Sequence, residues 1–213
     1  MNGALLLAGI LALAYTLGSI PVGLIVAWLK TGRDLRATGS GKTGATNVMR
    51  SAGRGYGFLT LFLDGAKALV AVVAASLLWP LSTMSIGSVT LELPLVQSLA
   101  GVATIIGHNH PMFAGFRGGR GVSSFFGSML YLNFPVALAG IGVLTVVALA
   151  SRFMSLASIV AGIATCITMI ALCAVGRVPW PHAAYTVIIV SYIVYAHRDN
   201  ISRLRQGTER RLF

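Results

Sequence analysis

Acidic side chains are scarce in this sequence: five Asp and Glu in 213 residues, against 16 Lys and Arg, for a net charge of +11. Metal-dependent and paired-carboxylate chemistries need clustered acids, and five spread along the whole chain leave little for them. Charge of either sign is thin, at 10% of residues, where a soluble domain carries roughly a quarter. With 56% hydrophobic residues and a mean hydropathy of +0.83, an ordinary soluble domain is excluded and an integral membrane protein is expected. Cysteine is almost absent. Cys166 and Cys173 share one apolar run, about 10 Å apart along a helix, too far for a disulfide, and read as core residues. No Lys or Arg precedes Lys30, so the first apolar run lacks the basic start of a cleavable signal and is expected to be retained as a span.

Apolar windows of membrane-crossing length are plentiful. Spans are expected at Leu5 to Leu29 and Tyr56 to Trp79, then at Phe134 to Ala150, Ser155 to Val175 and His182 to Ala196. Between the second and third of these lie a polar loop, Pro80 to Pro94, and two short apolar runs, Leu95 to Ile106 and Val122 to Leu132. The short runs flank Gly107 to Gly121, read as a non-helical loop. Counting both short runs gives an all-α membrane protein with seven transmembrane helices in a single domain over 1–213, some short or broken around a glycine-rich loop. With the N-terminus outside and the C-terminus cytoplasmic, the inner loops hold Lys30, Arg33, Arg36, Lys42, Arg50, Arg54, Arg117, Arg120, Arg152 and the five Arg of the tail. The outer loops hold Arg177 alone. That asymmetry obeys the positive-inside rule, and it fails if the short pair is omitted or merged. No internal repeat stands out, which weakens an inverted-repeat transporter.

The excess of cations either hugs an anionic bilayer or holds an anionic ligand. Gly39-Ser-Gly-Lys-Thr-Gly-Ala-Thr-Asn47 ends like a nucleotide-binding loop, but the leading glycine falls on Arg36 and no strand or acidic metal partner accompanies it. What remains is a glycine-rich, donor-rich turn with Ser40, Thr43, Thr46, Asn47 and Arg50, suited to an anion or to a solvated headgroup surface. In the second glycine-rich stretch, five glycines oppose a helix. Arg117, Arg120, backbone N–H groups and Ser123-Ser124 at the next helix start would form a phosphate-binding surface, the alternative being an ordinary cytoplasmic turn. His108 and His110 have no nearby carboxylate or Cys and do not read as a metal pair.

Asp64 and Lys67 lie three residues apart inside the second span, either neutralising each other or serving function. Ser19 lies in Gly18-Ser-Ile-Pro21, where Pro21 loosens the first helix. Arg152, Ser155 and Ser158 open the sixth segment. After the last span, His197, Asn200, Arg203 and Glu209 form a basic tail that either contacts lipid or folds back over a site.

Four runs, taken together, resemble a known family. They are Gly18-Ser-Ile-Pro21; Asp34-Leu-Arg36 with Gly39-Ser-Gly41 and Gly44-Ala-Thr-Asn-Val-Met-Arg50; Gly107-His-Asn-His-Pro-Met-Phe113 through Phe116-Arg-Gly-Gly-Arg-Gly-Val122; and His197-Arg-Asp-Asn-Ile-Ser-Arg203 with Gly207-Thr-Glu209. In order and spacing they are similar to the bacterial acyl-phosphate:glycerol-3-phosphate acyltransferase family, PlsY, over nearly the whole chain. The resemblance implies a seven-helix inner-membrane enzyme open to the cytoplasm. Such an enzyme moves a fatty acyl group from acyl phosphate to the 1-hydroxyl of glycerol 3-phosphate, leaving phosphate and lysophosphatidic acid.

By position the resemblance implies catalytic roles for Ser40, Asn47, Arg50, Lys67, His108, His197, Asn200 and Glu209. It also implies glycerol 3-phosphate at Gly118, Gly119 and Gly121, and substrate binding at Ser155. The loop readings add Ser19, Thr46, Arg117, Arg120, Ser123, Ser124 and Arg152 as substrate-binding. The chain departs from the family at Lys42, Arg120 and Ser123-Ser124, where Asn, Lys and Ala-Thr are usual.

Acyl phosphate is an activated mixed anhydride, so the chemistry asks mainly for cations and N–H groups that offset two phosphates. Candidate proton acceptors are His108, His197, Asp64, Asp199 and Glu209; the resemblance implies that a substrate phosphate does this work. Ser40 has no His near it in sequence, which favours orienting hydrogen bonds over an acyl-enzyme. The His-x4-Asp mechanism of other glycerolipid acyltransferases is excluded, since Phe113, Gly115, Val187 and Ser202 stand five residues after the four histidines. No cofactor, metal, nucleic acid or obligate protein partner is indicated, only the two substrates and the lipid bilayer. The competing reading is a transporter of small anions or phospholipid.

Overall fold

The computed structural model describes residues 3–79, 84–86 and 89–212. Its helices are α1 (Gly3–Gly18), α2 (Val22–Thr31), α3 (Ala45–Ala52), α4 (Arg54–Leu78), α5 (Leu93–Asn109), α6 (Val122–Leu132), α7 (Phe134–Ser151), α8 (Met154–Ala174), α9 (Trp180–Ala196) and α10 (Arg198–Arg205). One small antiparallel hairpin, β1 (Met84–Ile86) with β2 (Val89–Leu91), precedes α5. The rest of the polar loop expected before Pro94 lies partly outside the described residues, at 80–83 and 87–88.

Four stretches are long and apolar enough to cross a membrane: Gly3–Thr31, which includes the break at Pro21, Arg54–Leu78, Phe134–Ser151 and Met154–Ala174. Val122–Leu132 and Trp180–Ala196 are shorter apolar helices. Large apolar side chains such as Trp28, Phe62, Leu77, Val146, Ile167 and Tyr195 are exposed, as a lipid-facing surface requires.

The chain packs as two compact units, Met1–Tyr131 and Leu132–Phe213. In the first, α1, α4 and α5 share a core of Ile10, Ala14, Ala71, Ala75, Trp79, Val96 and Ala100. Small residues let these backbones touch, because lipid offers helices no hydrophobic drive to associate and close packing must supply it. A Cβ on Gly18 would strike the Thr104 backbone, one on Gly107 the Tyr15 carbonyl, and one on Gly127 the Gly65 backbone. A second cluster, Val22, Val26, Ala27, Leu35 and Val48, seats α3 beneath α2. In the second unit α8 packs against both α7 and α9, and α10 touches α8 and α9.

Two expectations are corrected. Gly107 to Asn109 is not loop: α5 runs through it, because Gly107 serves close approach to α1 and does not break the helix. The basic stretch after α2 is not all loop either, since Thr46, Asn47 and Arg50 ride on the short helix α3. The tail opens with a helix, α10, carrying Asn200 and Arg203.

Candidate active site

The first glycine-rich loop is organised from inside by two side chains. Asp34 caps the 3-10 turn Leu35–Ala37 by accepting the Arg36 N–H at 2.9 Å. Its carboxylate then takes the Arg36 fork, with Nε at 3.0 and 3.1 Å and Nη2 at 2.7 Å. That hydrogen-bonded guanidinium holds the Asp34 carboxyl below its ordinary range. The remaining arm of Arg36, Nη1, donates to the Ala114 carbonyl at 3.1 Å and so ties the first loop to the second.

Asn47 is the other organiser. It is buried, its Nδ2 donates to the carbonyls of Leu35, Thr38 and Lys42 at 3.2, 3.1 and 2.9 Å, and its Oδ1 accepts the Ser40 N–H at 3.2 Å. Gly39, at φ +59°, passes so close that a Cβ would strike Oδ1. The loop that looks like a phosphate cradle is thus wound around an amide side chain. Ser40, Lys42 and Arg50 are left exposed on its outside, with Thr46 half-buried one turn of α3 before Arg50.

The second loop leaves α5 through His110 and a 3-10 turn, Met112–Ala114. Gly115 and Phe116 both take left-handed backbone, at φ 61° and 60°, and Gly121 does so at 83°. The expected N–H donors are partly turned inward: Gly118 N–H donates to Asn109 O at 3.1 Å and Gly119 N–H to His108 O at 3.2 Å. A Cβ on Gly119 would meet His108 Nε2. Arg117 is exposed and Arg120 half-buried on this loop. The opening amides of α6 follow it, and the first turn of a helix leaves its N–H groups without intrahelical partners. Ser123 is half-buried there, whereas Ser124 is fully buried and gives its hydroxyl to the Asp64 carbonyl at 3.1 Å.

Beneath the loops lies a buried polar trio. Asp64 Oδ1 stands 2.8 Å from Lys67 Nζ and 3.2 Å from His108 Nδ1, and Lys67 Nζ also donates to Ile20 O at 2.9 Å, at the break between α1 and α2. Ser19, next to that break, is fully buried, and its hydroxyl has no hydrogen-bond partner among the described residues.

In the second unit Glu209 gathers the expected residues around itself. Its Oε1 accepts from Ser155 Oγ at 2.8 Å and Asn200 Nδ2 at 2.6 Å, and its Oε2 from Arg203 Nε at 2.8 Å. Burial alone raises this carboxyl, but the donors Asn200, Ser155 and Arg203 more than offset it and hold Glu209 below the ordinary carboxylate range. Leu212 N–H closes the tail onto the Arg152 carbonyl at 2.7 Å. His197 is buried, its Nδ1 2.8 Å from Ile193 O.

The expected set therefore falls into three groupings: the two joined loops, the trio below them, and the Glu209 knot. Asp34 and Arg36 carry part of this architecture and belong to no expected site. The contact that gives Arg36 its role spans 78 residues, and nothing local announces it.

Apolar helices joined by cation-bearing glycine-rich loops define an integral membrane protein that presents positive charge on those loops. The family model described as glycerol-3-phosphate acyltransferase matches residues 8–207. The glycerol-3-phosphate acyltransferase of Trichormus variabilis is 39% identical, covering 96% of this chain and 91% of the relative. That of one Thermus thermophilus strain is 39% identical, covering 95% and 93%. The crystal structure of PlsY, an integral membrane glycerol 3-phosphate acyltransferase, in its glycerol 3-phosphate form, matches with TM-score 0.83 at 36% identity over 96% of this chain and 94% of that one. Its lysophosphatidic acid form matches at 0.80 and 34%, over 96% and 94%. This chain belongs to the PlsY-type glycerol-3-phosphate acyltransferase family, a family of membrane-integral acyltransferases of lipid biosynthesis.

Proposed function

We propose that the protein transfers a fatty acyl group from acyl phosphate to the 1-hydroxyl of glycerol 3-phosphate, giving lysophosphatidic acid and phosphate. It does so from a seven-crossing topology with the N-terminus outside and the reacting loops and C-terminus on the cytoplasmic side of the plasma membrane. The observation that carries this reading is the Arg36 tie between the two cation-bearing loops, in a chain whose family is defined by glycerol 3-phosphate. Two phosphates repel each other, and Arg50, Arg117 and Arg120 supply the opposing charge. The glycerol oxygen attacks the acyl carbon, the bond from that carbon to the phosphate oxygen breaks, and the hydroxyl proton passes to a substrate phosphate oxygen. A dedicated base is not needed, in keeping with the engagement of Asp64 and Glu209 in internal contacts. Ser40 orients substrate by hydrogen bonding and forms no acyl-enzyme. Asn47 and Lys67 hold parts of the first unit in place, and Glu209, Ser155 and Asn200 hold one another in the second, while His197 contacts substrate.

The test is phosphate release from synthetic acyl phosphate by purified protein in detergent when glycerol 3-phosphate is added. Release is expected with acyl phosphate, and neither free coenzyme A nor lysophosphatidic acid is expected to form when acyl-coenzyme A replaces it as donor. Release no greater than a boiled control would remove the enzyme reading in favour of transport. Gly119→Ala is expected to raise the KM for glycerol 3-phosphate about tenfold, because the added methyl pushes the loop off the His108 ring. An unchanged KM would take the second loop out of that role. Arg50→Ala is expected to abolish turnover in a protein that still inserts and elutes as a single species, and near-normal rates would refute its place opposite a phosphate.

A further inference from the structure

Asp64 is 1% exposed, His108 6% and Lys67 8%. Ionisable groups at that depth are costly unless each has a partner. Charge balance alone asks for two groups, and Lys67 already meets Asp64. His108 brings a third polar group to the same carboxylate oxygen, where a hydrophobic side chain would fill the space at lower cost.

The far edge of the imidazole explains its presence. Nε2 occupies the place a Cβ on Gly119 would take, so Gly119 rests directly on the ring. The His108 carbonyl accepts Gly119 N–H, and the next carbonyl, of Asn109, accepts Gly118 N–H. A carboxylate 3.2 Å from Nδ1 draws that edge of the ring toward it electrostatically and so orients the imidazole. Lys67 carries the same arrangement to Ile20 O, so α4, α5 and the break between α1 and α2 all brace one ring.

We infer that Asp64 is a positioning residue: through His108 it sets the seat of Gly118 and Gly119, and Lys67 holds its carboxylate in place. The inference rests on the proposed role of that loop in binding glycerol 3-phosphate.

The test compares wild-type protein in detergent with Asp64→Asn and with the double variant Asp64→Asn/Lys67→Met. The double variant removes both charges, so no buried charge is left uncompensated. Two readouts are taken: hydrogen exchange of the peptide covering 107–121, and the separate KM values for glycerol 3-phosphate and acyl phosphate. In the double variant the loop peptide is expected to exchange about tenfold faster while the α7 and α8 peptides keep their wild-type protection. The KM for glycerol 3-phosphate is expected to rise about tenfold, with that for acyl phosphate within about twofold. Wild-type loop exchange and an unchanged KM would overturn the inference, leaving the pair as mutual neutralisation. Loss of protection throughout the chain would overturn it too, since the pair would then support the whole fold. If wild-type protein turns over no acyl phosphate, the proposed function fails, and the exchange readout still decides what seats the loop.

Discussion

Asn47→Asp is expected to lower kcat/KM by about 100-fold or more while the protein remains inserted and monodisperse. The Asn47 amide donates to three carbonyls and accepts one N–H, all within the first loop. A carboxylate keeps the acceptor and loses both donors, turning negative oxygen toward the carbonyls of Leu35, Thr38 and Lys42. A hydrogen bond is worth about 1 kcal/mol net and a stranded buried group costs about 1–3 kcal/mol. The loop therefore loses about 3 kcal/mol of local order, equivalent to roughly two decades of rate if the native loop geometry is what reacts. The helix beneath stays put, because Val48 remains packed with Val22, Val26, Ala27 and Leu35. Steady-state kinetics with a size-exclusion profile checks this, and activity within tenfold of wild type would sink the organising role of Asn47.

Glu209→Ala is expected to lower both thermal stability and activity, by a different route. One carboxylate receives Ser155 from the start of α8 and both Asn200 and Arg203 from α10, and its side chain is only 7% exposed. Truncation leaves the buried Ser155 and Asn200 donors unmet, at about 3 kcal/mol in all, which corresponds to a melting shift of about 6–12 °C for a chain of this size. Glu209→Gln keeps the Oε1 acceptor but loses the charge facing Arg203, and should fall between. The carboxyl is held below its ordinary range in the folded protein, so near and below that range the unfolded chain binds the extra proton. The contribution of Glu209 is therefore complete above the ordinary carboxylate range and is lost as the pH falls through the folded value. Melting curves against pH should show wild type losing more stability on acidification than Glu209→Gln; parallel curves would contradict the assignment.

Much of the fold is legible one segment at a time. A bilayer demands about 20 apolar residues per helical crossing, so Arg54–Leu78, Phe134–Ser151 and Met154–Ala174 follow from composition, and α6 begins and ends at the residues where the apolar run does. The site is legible mainly as types of residue: glycines, arginines and hydroxyls in two loops. Their duties are not. Glycine at 107 reads as a helix breaker until α1 lies against it. Asn47 reads as a substrate contact until its amide meets three carbonyls of its own loop, and Arg36 reads as one more inner-face cation until Ala114 arrives.

By itself, then, the sequence determined that this is a helical membrane protein, where its apolar helices lie, and which cations and glycines its loops carry. Those depend on transfer of side chains between water and lipid, which each residue settles with its near neighbours. Only the tertiary structure decided that three of the five carboxylates are tied up in holding other residues: Asp34 on Arg36, Asp64 on Lys67 and His108, Glu209 on Ser155, Asn200 and Arg203. The physical reason is that a hydrogen bond needs its partner within about 3 Å, and which partner comes that close is set by how segments far apart in the chain pack.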